Sequence, residues 1–142
     1  SVMESVVIDC EIPRTATVIM LYVVWPDRDL ELIKRVLSEY LNAGVRSLLC
    51  ATPVRSHPYM AFTWGRENRG IPVVKHNLFR RQDYPDCFVI NHIVTIFAVD
   101  ELKFLNGQLY NSKTFFFPVH EELNIDEQED MDLFLERADQ NN

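Results

Sequence analysis

Arg66, Arg69, Lys75, His76, Arg80 and Arg81 fall within sixteen positions. The chemistry that suits such a cluster is the grip of an anion. A guanidinium is a planar fork of donors that matches a carboxylate or a phosphate. Arg66 and Arg69 flank a polar turn and read first as solvated charges. A second group is acidic: Asp126, Glu127, Glu129, Asp130 and Asp132 crowd seven positions. Carboxylate oxygens are what Mg²⁺ takes. A run of this kind is also the water-facing side of a helix, and Asp126 suits that helix as an N-cap. His57, His76, His92 and His120 show no metal-ligand spacing with Cys10, Cys50 and Cys87. Neither Ser47 nor Ser56-His57 sits in a nucleophile elbow.

These residues need elements to hold them. Thr17 to Val24 is an unbroken β-branched and aliphatic run, the pattern of a central strand buried on both faces. Asp27 or Asp29 can cap a helix from about Leu30 to Asn42. Its expected buried stripe is Leu30, Ile33, Leu37 and Leu41, and Gly44 stands at its end. Val45 to Ala51 reads as a second buried strand, which makes one βαβ unit with a right-handed crossover. Tyr59–Trp64 and Ile71–Lys75 read as a hairpin around a polar turn bounded by Gly65 and Gly70. Cys87–Ala98 is a third core strand, Val99–Leu105 a helical turn and Thr114–Val119 a short strand. The last helix runs from Glu127 to about Ala138, with Met131, Phe134, Leu135 and Ala138 as its apolar stripe and an Asp126–Glu129 capping pair. Met3, Val6, Val7 and Cys10 fit a short amphipathic helix, although Val6-Val7-Ile8 fits a strand equally.

The bulk numbers set outer limits. A chain of 142 residues, 47% hydrophobic, suits one compact domain. Its longest apolar run, Ala16–Trp25, falls short of the roughly 18–20 residues that span a bilayer. Ser1-Val2-Met3-Glu4 has no basic leader, so a cytoplasmic protein is expected. Three cysteines without a CxxC, each among apolar neighbours, are expected as buried free thiols. Glu121 to Asn142 holds nine acidic residues and one Arg, a balance of −8 within a net charge of −7. The remaining 120 residues therefore sum to +1, which argues against nucleic-acid phosphates as partners.

Three stretches together resemble a known family. They are Leu78-Phe79-Arg80-Arg81-Gln82-Asp83-Tyr84-Pro85 with Asn91, the run His57-Pro58-Tyr59 with Ala61-Phe62, and Asn124-Ile125-Asp126-Glu127-Gln128-Glu129-Asp130. They are similar to the distal half of the cytidylyltransferases that activate sialic acids and related acidic sugars. That family carries R-R-Q-D-x-P, an Asn-Gly ten residues past the second Arg, S-P-Y-W-A-F, and D-I-D-T-E-x-D.

The resemblance implies an α/β fold: a truncated nucleotide-diphospho-sugar-transferase-like (Rossmann-like) sandwich with a mixed sheet. A protruding β-hairpin dimerisation extension would occupy about 58–86 of a single domain, 1–142. It implies that Arg81 holds a sugar carboxylate, with Arg80 beside it and Gln82 and Asn91 positioning the ligand. It also implies that Asp126 holds Mg²⁺. The expected partners are a second copy of the chain, as a homodimer or higher homo-oligomer, and a small anionic ligand, with no nucleic acid and no membrane. The exposed aromatics of the hairpin and of Phe115-Phe116-Phe117 fit such an interface.

Departures from the pattern bear on activity. Gly after the site Asn is His92, the Tyr four past it is Thr95, and the first metal Asp is Asn124. Of P-T-S-P-L-R only Pro26 and Arg28 stand. With glycines only at 44, 65, 70 and 107, no phosphate-cradling loop can be drawn. The expectation is therefore a degenerate cytidylyltransferase-like domain that binds an acidic sugar or other small anion without catalysis of its own. The alternatives are a non-catalytic homodimeric assembly module and the sugar-binding half of a two-chain nucleotidyltransferase.

Overall fold

The computed structural model describes residues 2–26, 28–120, 125 and 127–140. The chain opens with helix α1 (Val2–Asp9) and strand β1 (Thr17–Met20), then α2 (Leu30–Ala43) and β2 (Ser47–Pro53). A small hairpin, β3 (Phe62–Trp64) and β4 (Gly70–Pro72), is followed by the long strand β5 (Phe88–Ala98), β6 (Phe115–Pro118) and helix α3 (Gln128–Gln140). The fold is mixed α/β. Four strands form one sheet in the order β1-β5-β2-β6, and β3 and β4 form a separate antiparallel pair.

β5 runs antiparallel to both β1 and β2, while β6 runs parallel to β2. β1 and β2 are thus parallel to each other but separated by β5. The expected β1-α2-β2 unit is present in split form, with a strand inserted that arrives forty residues later. This corrects the expectation for Thr17–Val24. Only four of its residues are strand, and β1 lies at the sheet edge, not its centre. Leu21, Tyr22 and Val23 beyond it are exposed. An apolar run signals burial somewhere, but which strand pairs with it is a non-local matter that the run does not encode.

Helix α2 forms where its local signals place it. Asp29 Oδ1 accepts the Leu32 N–H at 2.5 Å, and Gly44 closes the helix in the left-handed region (φ 60°) with its N–H on the Leu41 carbonyl. A Cβ is costly at that backbone conformation, which is why Gly serves there. The buried stripe is Leu32, Val36 and Tyr40, packed with Leu48, Cys50, Ile93, Val94 and Ile96 of the sheet and Val119 just past β6. Leu30 and Leu41, expected in the core, are 63% and 66% exposed, while Ile33 and Leu37 flank the core half-buried. Each fully buried aliphatic side chain here contributes about 1.5–3 kcal/mol.

The thiols also differ from expectation. Cys50 is buried, but Cys87 is half-buried and Cys10 is exposed at the end of α1. At α3, the Glu127 N–H donates to Asp130 Oδ2 at 3.0 Å. The capping contact in hand therefore joins Glu127 to Asp130, and the expected Asp126–Glu129 pair lies partly outside the described residues. No described helix is long and apolar enough to cross a membrane.

Candidate functional site

β5 is interrupted where it matters. Opposite it, Leu49 and Cys50 are consecutive on β2, yet they face Thr95 and Asn91, so His92, Ile93 and Val94 form a bulge. A regular strand sends successive side chains to opposite faces. Here Ile93 and Val94 are both wholly buried and both belong to the core cluster that packs against α2, an arrangement the bulge allows. Bulges re-aim side chains and recur beside functional sites.

Two polar side chains satisfy the backbone that the bulge frees. Asn91 Oδ1 accepts the Ile93 N–H at 2.7 Å. Arg28 Nη1 donates to the Ile93 carbonyl at 3.0 Å and to the Tyr22 carbonyl at 2.9 Å, tying the chain after β1 to the bulge. Partial burial lowers the Arg28 guanidinium from its ordinary range. Behind the bulge, burial pushes the Cys50 thiol up to about 12, partly offset by a hydrogen bond from the Val94 backbone. Cys50 is therefore an inert core thiol and not a nucleophile.

His92 leaves the bulge on another course. Its Nδ1 is 3.1 Å from Thr95 Oγ1, and its Nε2 is 3.3 Å from Gln108 Oε1. The amide oxygen can only accept, so Nε2 carries the proton and Nδ1 takes the Thr95 hydroxyl hydrogen. The Tyr22 ring lies 5.5 Å away. His92 and Thr95, two of the positions that differ from the resembled pattern, are thus bonded to each other.

The second locus is the separate β3–β4 hairpin and the segment around it. The hairpin pairs Phe62 with Pro72 and Trp64 with Gly70, as expected but shorter, and Glu67 and Asn68 turn it with left-handed backbones. Its base is held by four rings. His57 lies 4.6 Å from Tyr59 and 4.9 Å from Tyr84, and Tyr59 stacks on His76 at 4.3 Å. His57 Nδ1 accepts the Tyr59 N–H at 3.2 Å, so its Nε2–H donates to the Pro85 carbonyl at 3.0 Å. His76 Nε2 donates to the Tyr59 carbonyl at 2.9 Å. His57 and His76 are here structural staples.

The sequence-derived site residues divide between these loci. Arg81 and Gln82 are exposed on a 3₁₀ turn, Arg81–Asp83, and Arg80 is its N-cap. Arg81 Nη2 reaches the Arg55 carbonyl at 3.5 Å, a long and weak bond. Asn91 is only 5% exposed in the sheet, its Oδ1 spent on the bulge, and its amide nitrogen has no hydrogen-bond partner among the described residues. No hydrogen bond among the described residues joins Asn91 to Arg80, Arg81 or Gln82. Arg66 and Arg69 are exposed at the hairpin turn. Asp126 and Asn124 lie outside the described residues. Among the described residues no group of three or more His, Cys, Asp or Glu side chains converges to hold a metal ion.

Arg28 and Gln108 carry more of this geometry than the sequence reading gave them. Arg28 was visible as a surviving Arg after Pro26, but its target was not, because the bulge arises from pairing between distant strands. No protein-family model matches the chain, and no curated protein matches it.

Proposed function

We infer that this is a cytidylyltransferase-like domain that holds a small carboxylate-bearing ligand, an acidic sugar, on Arg81, and that it does not transfer nucleotidyl groups by itself. The observation that carries the reading is the state of Arg81. It sits on an exposed turn, in the R-R-Q-D motif, and the one described hydrogen bond of its side chain is to a carbonyl at 3.5 Å. A guanidinium placed so has most of its donor fork available for a carboxylate. The side chain of Arg80, next to it, has no hydrogen-bond partner among the described residues. Gln82 shares the turn, and Asn91 would contribute its spare amide nitrogen.

The missing catalytic step follows from chemistry. Transfer of a nucleotidyl group requires neutralisation of a triphosphate by a cradle of backbone N–H groups and a divalent cation. The glycines here cap α2, bound the hairpin turn and sit in the 106–110 turn. Of the two residues at the family's metal positions, Asn124 is an amide and only Asp126 is a carboxylate. That pair fits Mg²⁺ poorly, because Mg²⁺ is held by carboxylate charge.

A homodimer completes the reading. The extension shows Phe62, Trp64, Ile71, Val73 and Phe79 to solvent, with Trp64 72% and Phe79 96% exposed. An apolar surface of this kind on a protruding hairpin fits a contact with a second copy.

The test is thermal stabilisation by N-acetylneuraminic acid and, separately, by CTP with Mg²⁺. Ligand at a hundred times its Kd adds about 2.7 kcal/mol. The expected result is a shift with the sugar that Arg81→Ala abolishes, and none with CTP. A shift unchanged in Arg81→Ala would remove the site, and a CTP shift would restore the enzymatic reading. Sedimentation of the same samples tests the dimer.

A further inference from the structure

We propose that the cavity between α1, the end of β1 and the 106–110 turn binds a small, largely apolar molecule with a hydrogen-bond-accepting head, a carbonyl or carboxylate. The cavity measures about 690 Å³, within the usual size range of small-molecule sites. Its floor is apolar, from Met3, Met20, Leu102, Leu105 and Leu109. Its polar wall is Tyr22, His92, Asn106 and Gln108, and the oppositely charged Glu4 and Lys103 also line it.

The polar wall has donors to spare. His92 donates its Nε2–H to Gln108 Oε1, which turns the amide –NH₂ into a free pair of donors. Neither that –NH₂ nor the Tyr22 hydroxyl has a hydrogen-bond partner among the described residues. His92 is itself fixed by Thr95, which is wholly buried, so Gln108 is held at a defined place. The turn that carries Gln108 is also over-determined. Asn106 Oδ1 accepts both the Gln108 and the Tyr110 N–H groups. Leu109 adopts a left-handed φ of 60°, unfavourable for a γ-branched residue, and lines the cavity. Strained non-glycine positions of this sort persist where their surroundings hold them, and they cluster at ligand sites.

The class of ligand follows from this wall. Surplus donors call for an acceptor head, and five apolar side chains call for an apolar body. A polyhydroxylated sugar would leave its hydroxyls unmet against that floor. The site is therefore separate from the Arg81 turn, and either can fail without the other.

The experiment uses the full chain with hexanoate and hexanamide as probes, observed by saturation-transfer NMR, with the imidazole resonances of His92 reporting location. Both probes should bind and shift His92. Gln108→Leu, at an exposed turn, should melt as the parent does and weaken both probes about five- to tenfold, the loss of roughly one hydrogen bond. Leu105→Trp should fill the space and abolish binding. The proposal is overturned if neither probe binds, if Gln108→Leu leaves affinity unchanged, or if glucuronate displaces the probes.

Discussion

Replacing Arg28 by Ala should destabilise the protein by about 2–4 kcal/mol. One guanidinium nitrogen donates to two carbonyls. The bond to Ile93 is part-buried, and a charged donor in that setting contributes about 1.5–3 kcal/mol. The bond to Tyr22 is exposed and screened, so it adds roughly 0.5–1 kcal/mol. In a chain of this length each kcal/mol moves the melting temperature by about 2–4 °C, so a fall of roughly 4–16 °C is expected. Urea denaturation should show a lower midpoint with an unchanged slope. Arg28→Lys keeps a cation but not the fork, and it should fall between the two. The loss should stay flat between about pH 5 and 9, because the guanidinium does not titrate there. If Arg28→Ala melts within about 2 °C of the parent, the bulge is not held by this clamp.

Two further expectations rest on burial. Val36→Ala, at a wholly buried position, should cost about 1.5–3 kcal/mol, whereas Leu41→Ala, 66% exposed, should cost under about 0.5 kcal/mol in the same denaturation assay. Equal losses would mean that the other stripe of α2 faces the sheet. Cys50, with its thiol raised from 9.0 to about 12, stabilises the fold as the neutral form. That contribution is complete below pH 9 and fades as the pH climbs toward 12, so Cys50→Ala should show a shallower alkaline loss of stability than the parent. Thiol reagents should label exposed Cys10 in the native protein and reach Cys50 only on unfolding. Native labelling of Cys50 would refute its burial.

The parts that were legible in the sequence are those decided within a few residues. The Asp29 cap, the Gly44 stop, the hairpin bounded by Gly65 and Gly70 and the turn at Val99–Phe104 each close their own short-range hydrogen bonds. Three features came from the tertiary structure alone. β5 inserts between β1 and β2 and makes an edge of a run that reads as a centre. The sheet selects Leu32, Val36 and Tyr40 over the neighbouring apolar stripe of α2. The bulge at His92–Val94 sets Arg28 and Gln108 to work on backbone and side chains far from them in the chain. The reason is one of range: local dihedral preferences and caps are written in adjacent residues, whereas strand order and register arise from which distant surfaces bury the most apolar area together.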